Sequence, residues 1–77
     1  IIMFELQAII YPKEKFTKEQ AITISQDMIN NKTKSFIRET NQSWRFRNIA
    51  KTKFDKHTFR TKKLNNGISL IYGELLK

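Results

Sequence analysis

Ser43-Trp44-Arg45-Phe46-Arg47 alternates aromatic rings with cations. In an extended strand successive side chains leave by opposite faces, so Trp44 and Phe46 share one face and Arg45 and Arg47 the other. Large aromatics are mostly buried, which assigns Trp44 and Phe46 to a core. The reverse parity would make them a stacking platform and bury two guanidiniums with nothing to offset the desolvation. A strand of this kind belongs to a sheet with one covered face and one polar face.

Upstream, the period changes from 2 to 3.6. Thr17-Lys18-Glu19-Gln20 is a capping box, with the Thr17 hydroxyl placed for the amide of Gln20 and the Gln20 side chain reaching back. Phe16 and Ala21 occupy the two positions of a hydrophobic staple. The spacing predicts a helix from about Lys18 to Asn30, with Ala21, Ile24 or Ser25, Met28 and Ile29 as its buried stripe. Asn30-Asn31 stops it, since Asn tolerates the left-handed conformation.

The remaining apolar runs read as strands. Met3 to Tyr11 alternates loosely, with Phe4, Leu6 and Ala8 on one side, and ends at Pro12, which cannot donate to a ladder. Ser35 to Thr40 precedes an Asn41-Gln42 turn, and Ser43 to Ile49 is its hairpin partner. Ala50 to Lys56 is a basic connection. Thr58 to Leu64 and Ile68 to Leu75 flank Asn65-Asn66-Gly67, a hairpin turn suited to positive φ, and Gly73 interrupts the last strand. The order β-α-β-β-β-β predicts an α+β fold, one antiparallel or mixed sheet with a single helix packed on one face.

The chain has 77 residues, 39% of them hydrophobic, with nine aromatics, which fits one small globular domain over 1–77 and is too apolar for a disordered tail. No apolar run approaches the roughly 18 residues of a membrane span. The stretch from Met3 to Tyr11 carries Glu5 and Gln7 and does not read as a signal peptide. Without cysteine, disulfides, thiol catalysis and Cys-ligated zinc are excluded. His57 stands alone in a basic segment, and the seven carboxylates are scattered. With Gly67 and Gly73 the only glycines, there is no phosphate-cradling loop. The sequence therefore predicts no enzyme, no metal site and no cofactor.

Charge is the informative property. Residues 32–63 hold eleven of the fifteen Lys and Arg, opposed by Glu39 and Asp55, and so carry a net +9 in a chain of net +8. A basic block inside a folded domain concentrates polyanions, nucleic acid first among them. In Thr58-Phe59-Arg60-Thr61-Lys62 the same alternation separates Phe59 from Arg60 and Lys62. With the aromatics against the helix, Arg45, Arg47, Arg60 and Lys62 would stand together on the open face. Arg38 would join them, and Phe36 would offer a ring for a base to stack on. Lys51 and Lys53 are expected as flanking phosphate contacts. A solvated face is polar in any case, and edge cations also deter aggregation. A face of one sign favours binding over mere solvation.

The spaced pattern Tyr11-Pro12-Lys13, Phe16-Thr17, Ala21, then Ser43-Trp44-Arg45-Phe46-Arg47, then Phe59-Arg60-Thr61-Lys62-Lys63-Leu64 and Gly67-Ile68, Leu70-Ile71, Gly73 resembles a small domain family of unsettled function. That family occurs in tailed-phage and large-DNA-virus proteins. The resemblance implies a viral or phage setting, inside the host cell or in the virion, and supplies no catalytic residue. The expectation is an accessory domain that binds single-stranded nucleic acid, or nucleic acid non-specifically, with no membrane partner. The alternative is a virion structural or assembly module docking an acidic protein. Ile1-Ile2 ahead of Met3 also admits a fragment of a larger protein.

Overall fold

A computed structural model describes residues 4–29 and 36–76. The strand start at Met3, the helix stop at Asn30-Asn31 and the strand start at Ser35 lie outside the described residues, as do the side chains of Ile29 and Phe36. The elements are β1 (Phe4–Pro12), α1 (Lys18–Ile29), β2 (Phe36–Glu39), β3 (Ser43–Arg47), a 3₁₀ turn (Lys51–Lys53), β4 (Arg60–Lys63) and β5 (Ser69–Glu74). The strands form one sheet in the order β2-β3-β1-β5-β4, with every adjacent pair antiparallel. The fold is α+β, one sheet and one helix, as the sequence predicts.

Helix α1 begins where the capping box places it. The Thr17 amide donates to Gln20 Oε1 at 2.8 Å, and the Gln20 amide donates to Thr17 Oγ1 at 3.2 Å. Its buried stripe is Ala21 and Ser25, with Ile24 half-buried. Met28 departs from the expected stripe and is 44% exposed, one turn beyond the last fully buried residue. On the helix-covered face Ile9, Tyr11, Phe46 and Leu70 are buried, together with Ile68, and Trp44, Tyr72 and Leu6 pack around them. The Trp44 indole donates to the Phe16 carbonyl at 3.1 Å, fixing the loop ahead of the helix to β3.

Two features depart from the simple alternation. The β1–β5 register slips between Leu6 and Ala8, so Gln7 is an extra residue in the ladder. Leu6 thereby returns to the helix side opposite Tyr72, while Ala8 faces the other way opposite Ile71 and is fully buried there. Strand β3 ends at Arg47 rather than Ile49, because the amides of Asn48 and Ile49 both turn to the Gln7 carbonyl, at 2.8 and 3.2 Å.

The second face is not open throughout. After β3 the chain crosses this face to reach β4 at the far edge of the sheet. Phe54 and Phe59 lie over Gly73, where an added Cβ would come within 2.8 Å of the Phe54 ring and 3.0 Å of the Phe59 ring. Gly73 therefore does not interrupt β5. It is a paired, buried strand residue whose missing side chain leaves room for the two rings.

Candidate nucleic-acid interface

Strand register decides which cations meet. Arg38 stands directly opposite Arg45 across the β2–β3 ladder, and Arg47 follows two residues along β3 on the same face. Arg45 is opposite Ile10 of β1, on the face away from the helix. The crossing segment packs Phe54 and Phe59 over Gly73 of β5 and, through Ala50, Lys51 and Thr52, walls a recess beside β2 and β3. There a cleft of about 850 Å³ is lined by Arg38, Arg45, Arg47, Lys51 and Gln7, with Thr52 on its wall.

Gln7, the bulged residue, is 1% exposed and anchors the cleft. Its amide nitrogen donates to the Ile49 carbonyl at 2.9 Å, which fixes its orientation, and its oxygen accepts from Arg45 Nη2 at 3.2 Å. One N–H of the Arg45 fork is thus spent on orientation, and the planar group keeps further donors for a ligand. The bulge ties the crossing segment to the sheet and sets a guanidinium in place.

No carboxylate is among the described residues that line the cleft. The nearest acid in sequence, Glu39, is opposite Trp44 on the helix side and accepts a hydrogen bond from Lys13 Nζ. That hydrogen bond, and then the charge of Lys13, hold the Glu39 carboxyl below its ordinary range. Lys13 also sits 4.7 Å above the Trp44 ring, so this pair is engaged on the opposite side of the sheet.

Arg60 and Lys62 do not join the cluster. Arg60 pairs with Tyr72 and Lys62 with Leu70, which turns both to the helix side at the β4 edge, two strands away from β1. The assumption that fails is that Phe59 shares a face with Trp44 and Phe46. Phe59 packs against Phe54 on the second face instead, with ring centroids 5.5 Å apart, and the parity of β4 follows. Lys53 is exposed in the 3₁₀ turn and does not line the cleft, whereas Lys51 does. Phe36 pairs with Arg47 by register, and its side chain lies outside the described residues. Gln7, Ile37, Thr40, Ala50 and Thr52 also line the cleft, and charge alone does not single them out.

Among the described residues no group of His, Asp or Glu is arranged to hold a metal ion, and no helix is long and apolar enough to cross a membrane. Comparison of the chain with protein-family profiles, curated proteins and solved structures finds no match.

Proposed function

We propose that this domain binds single-stranded nucleic acid through the β2–β3 cleft, using Arg38, Arg45, Arg47 and Lys51 to hold phosphate without reading sequence. The observation that carries the reading is the Arg38–Arg45 pair. Like charges directly opposite on neighbouring strands oppose folding, and here they share a recess with two further cations and no lining acid. An anion in the cleft removes that repulsion and gains charge-assisted hydrogen bonds. A single strand can lay its backbone in the cleft with its bases splayed toward solvent. A viral or phage setting rests on the sequence resemblance alone.

Fluorescence anisotropy with a labelled single-stranded oligonucleotide at several salt concentrations tests this. On a strand with hydroxyl ends, at most four phosphate contacts give a log–log salt slope of up to about −3, and an Arg38→Ala/Arg47→Ala variant should lower its magnitude by up to about 1.4. Arg45 is kept in this variant because its loss would also strand the buried Gln7 oxygen. Absence of binding by the parent at low salt ends the reading.

A second reading is favoured by the β4 edge. Arg60-Thr61-Lys62-Lys63 is exposed along its length and, among the described residues, has no strand on its outer side, so an acidic extended segment of a partner protein could add there as a further strand.

A further inference from the structure

The binding reading leaves open which phosphate of a strand enters the cleft. Its volume of about 850 Å³ falls within the range of small-ligand sites, so it accommodates a short piece of a polymer. Strand geometry concentrates the donors further. Directly opposed residues have Cβ atoms about 5 Å apart, and residues two apart on one strand or diagonal across the pair are separated by about 7–8 Å, so Arg38, Arg45 and Arg47 rise from one small patch, close enough for three long side chains to reach a single group. Lys51 adds a fourth charge from the 3₁₀ turn, and Thr52 lies beside it in the lining.

Internal phosphates are poorly matched to that density. A diester offers two terminal oxygens and one charge. A monoester offers three acceptor oxygens and about −1.5 to −2 charge near neutral pH. Three forked guanidiniums around one recess suit three oxygens on one phosphorus. Resting on the nucleic-acid reading above, we infer that the cleft seats the terminal phosphate of a single strand, a phosphomonoester, in preference to the diesters of its interior. In this arrangement the oriented Arg45 takes one oxygen, Arg38 and Arg47 approach the others from the two strands, and Lys51 supplies charge from the side. The polymer then leaves over β2, an edge strand among the described residues.

The test compares oligonucleotides of one sequence that carry a 5′-phosphate, a 3′-phosphate or hydroxyls at both ends, by anisotropy with the label internal. A phosphate-bearing strand should bind about tenfold or more tightly than the hydroxyl-ended one, the effect of one added charge-assisted hydrogen bond. Inorganic phosphate should compete more effectively than chloride at equal ionic strength. The preference should grow between pH 5 and 7, as the monoester loses its second proton near pH 6. The groups facing the phosphate are Arg38, Arg45, Arg47 and Lys51, with no carboxylate or histidine among the described lining residues, and the hydroxyl-ended strand controls for any titration of the protein. Arg38 is exposed on an edge strand, so Arg38→Ala should fold and should abolish the preference while weakening the hydroxyl-ended strand only two- to threefold. Equal affinity for all three strands overturns the terminal-phosphate inference and leaves the binding reading standing. No binding by any of them removes both.

Discussion

The Tyr11 hydroxyl and Ser25 Oγ meet at 2.6 Å in the interior, joining the central strand to the helix that covers it. Both residues are fully buried, so neither oxygen has water to fall back on. Tyr11→Phe leaves the Ser25 hydroxyl unpaired and should destabilise the fold by about 1–3 kcal/mol in urea denaturation. Ser25→Ala should cost a similar amount by stranding the Tyr11 hydroxyl. The double variant should lose clearly less than the two losses added, because no unsatisfied group remains. Strict additivity would show that the pair is not coupled.

The same contact sets a pH dependence. Burial raises the Tyr11 pKa above its ordinary value, and the hydrogen bond with Ser25 opposes this to a smaller extent. A folded-state pKa above the unfolded one means that the stability is fully present below about pH 10 and is lost as pH rises through the folded value. Denaturant midpoints measured from pH 8 to 11.5 should fall in the parent above pH 10. The fall should be shallower in Tyr11→Phe.

Gly73 yields a steric prediction. Gly73→Ala must push a methyl into the space held by Phe54 and Phe59, at 2.8 and 3.0 Å before relaxation, and should cost about 1–3 kcal/mol. Gly73→Ala combined with Phe59→Leu should recover part of that loss, since the shorter side chain vacates ring positions. If thermal melts show Gly73→Ala to be neutral, the two rings do not pack over this strand as described.

The architecture was legible where local chemistry is decisive. The capping box at Thr17 and Gln20, the Asn66-Gly67 turn with Gly67 at φ 92° and the inward parity of Trp44 and Phe46 each follow from a few adjacent residues. The site was legible only in its β2–β3 half. Placing Arg60 and Lys62 required the face of Phe59, which depends on a chain crossing that no local pattern announces. A usable signal was present in the hairpin. With Leu64 and Ile68 closing the turn, Lys62 falls opposite Leu70 and Arg60 opposite Tyr72, on the apolar face of β5. The bulge at Gln7 had no such signal, because a lone polar residue in a strand also reads as solvent-facing. Its carbonyl accepts from the amides of Asn48 and Ile49, about forty residues further along the chain, a long-range pairing that no local pattern marks.

Arg38 should trade stability against binding. Replacing it with Gln removes one member of a directly opposed like-charge pair and should stabilise the unliganded protein by up to about 1 kcal/mol, most visibly at low salt. The same substitution should weaken oligonucleotide binding and reduce the magnitude of its salt slope by up to about 0.7. A stabilised variant with weaker binding is the signature of a residue retained for its ligand. Loss of stability in Arg38→Gln would instead assign Arg38 a structural role on the edge strand.

Arg60 and Lys62 provide the sharpest comparison, because composition alone treats them as equivalent to Arg38 and Arg47. Both double substitutions to alanine lower the net charge from +8 to +6, so any long-range attraction falls equally. The register separates them, placing one pair in the cleft and the other beside Tyr72 and Leu70 on the opposite face. Arg60→Ala/Lys62→Ala should leave the salt slope within experimental error of the parent and slow association only slightly. Arg38→Ala/Arg47→Ala should lower the slope by up to about 1.4 and raise the dissociation rate. Equal slopes for the two variants would mean that nucleic acid responds to overall charge, and the cleft would lose its claim as the site. A loss confined to Arg60→Ala/Lys62→Ala would move the contact to the β4 edge, where an added strand of an acidic partner would compete for the same surface.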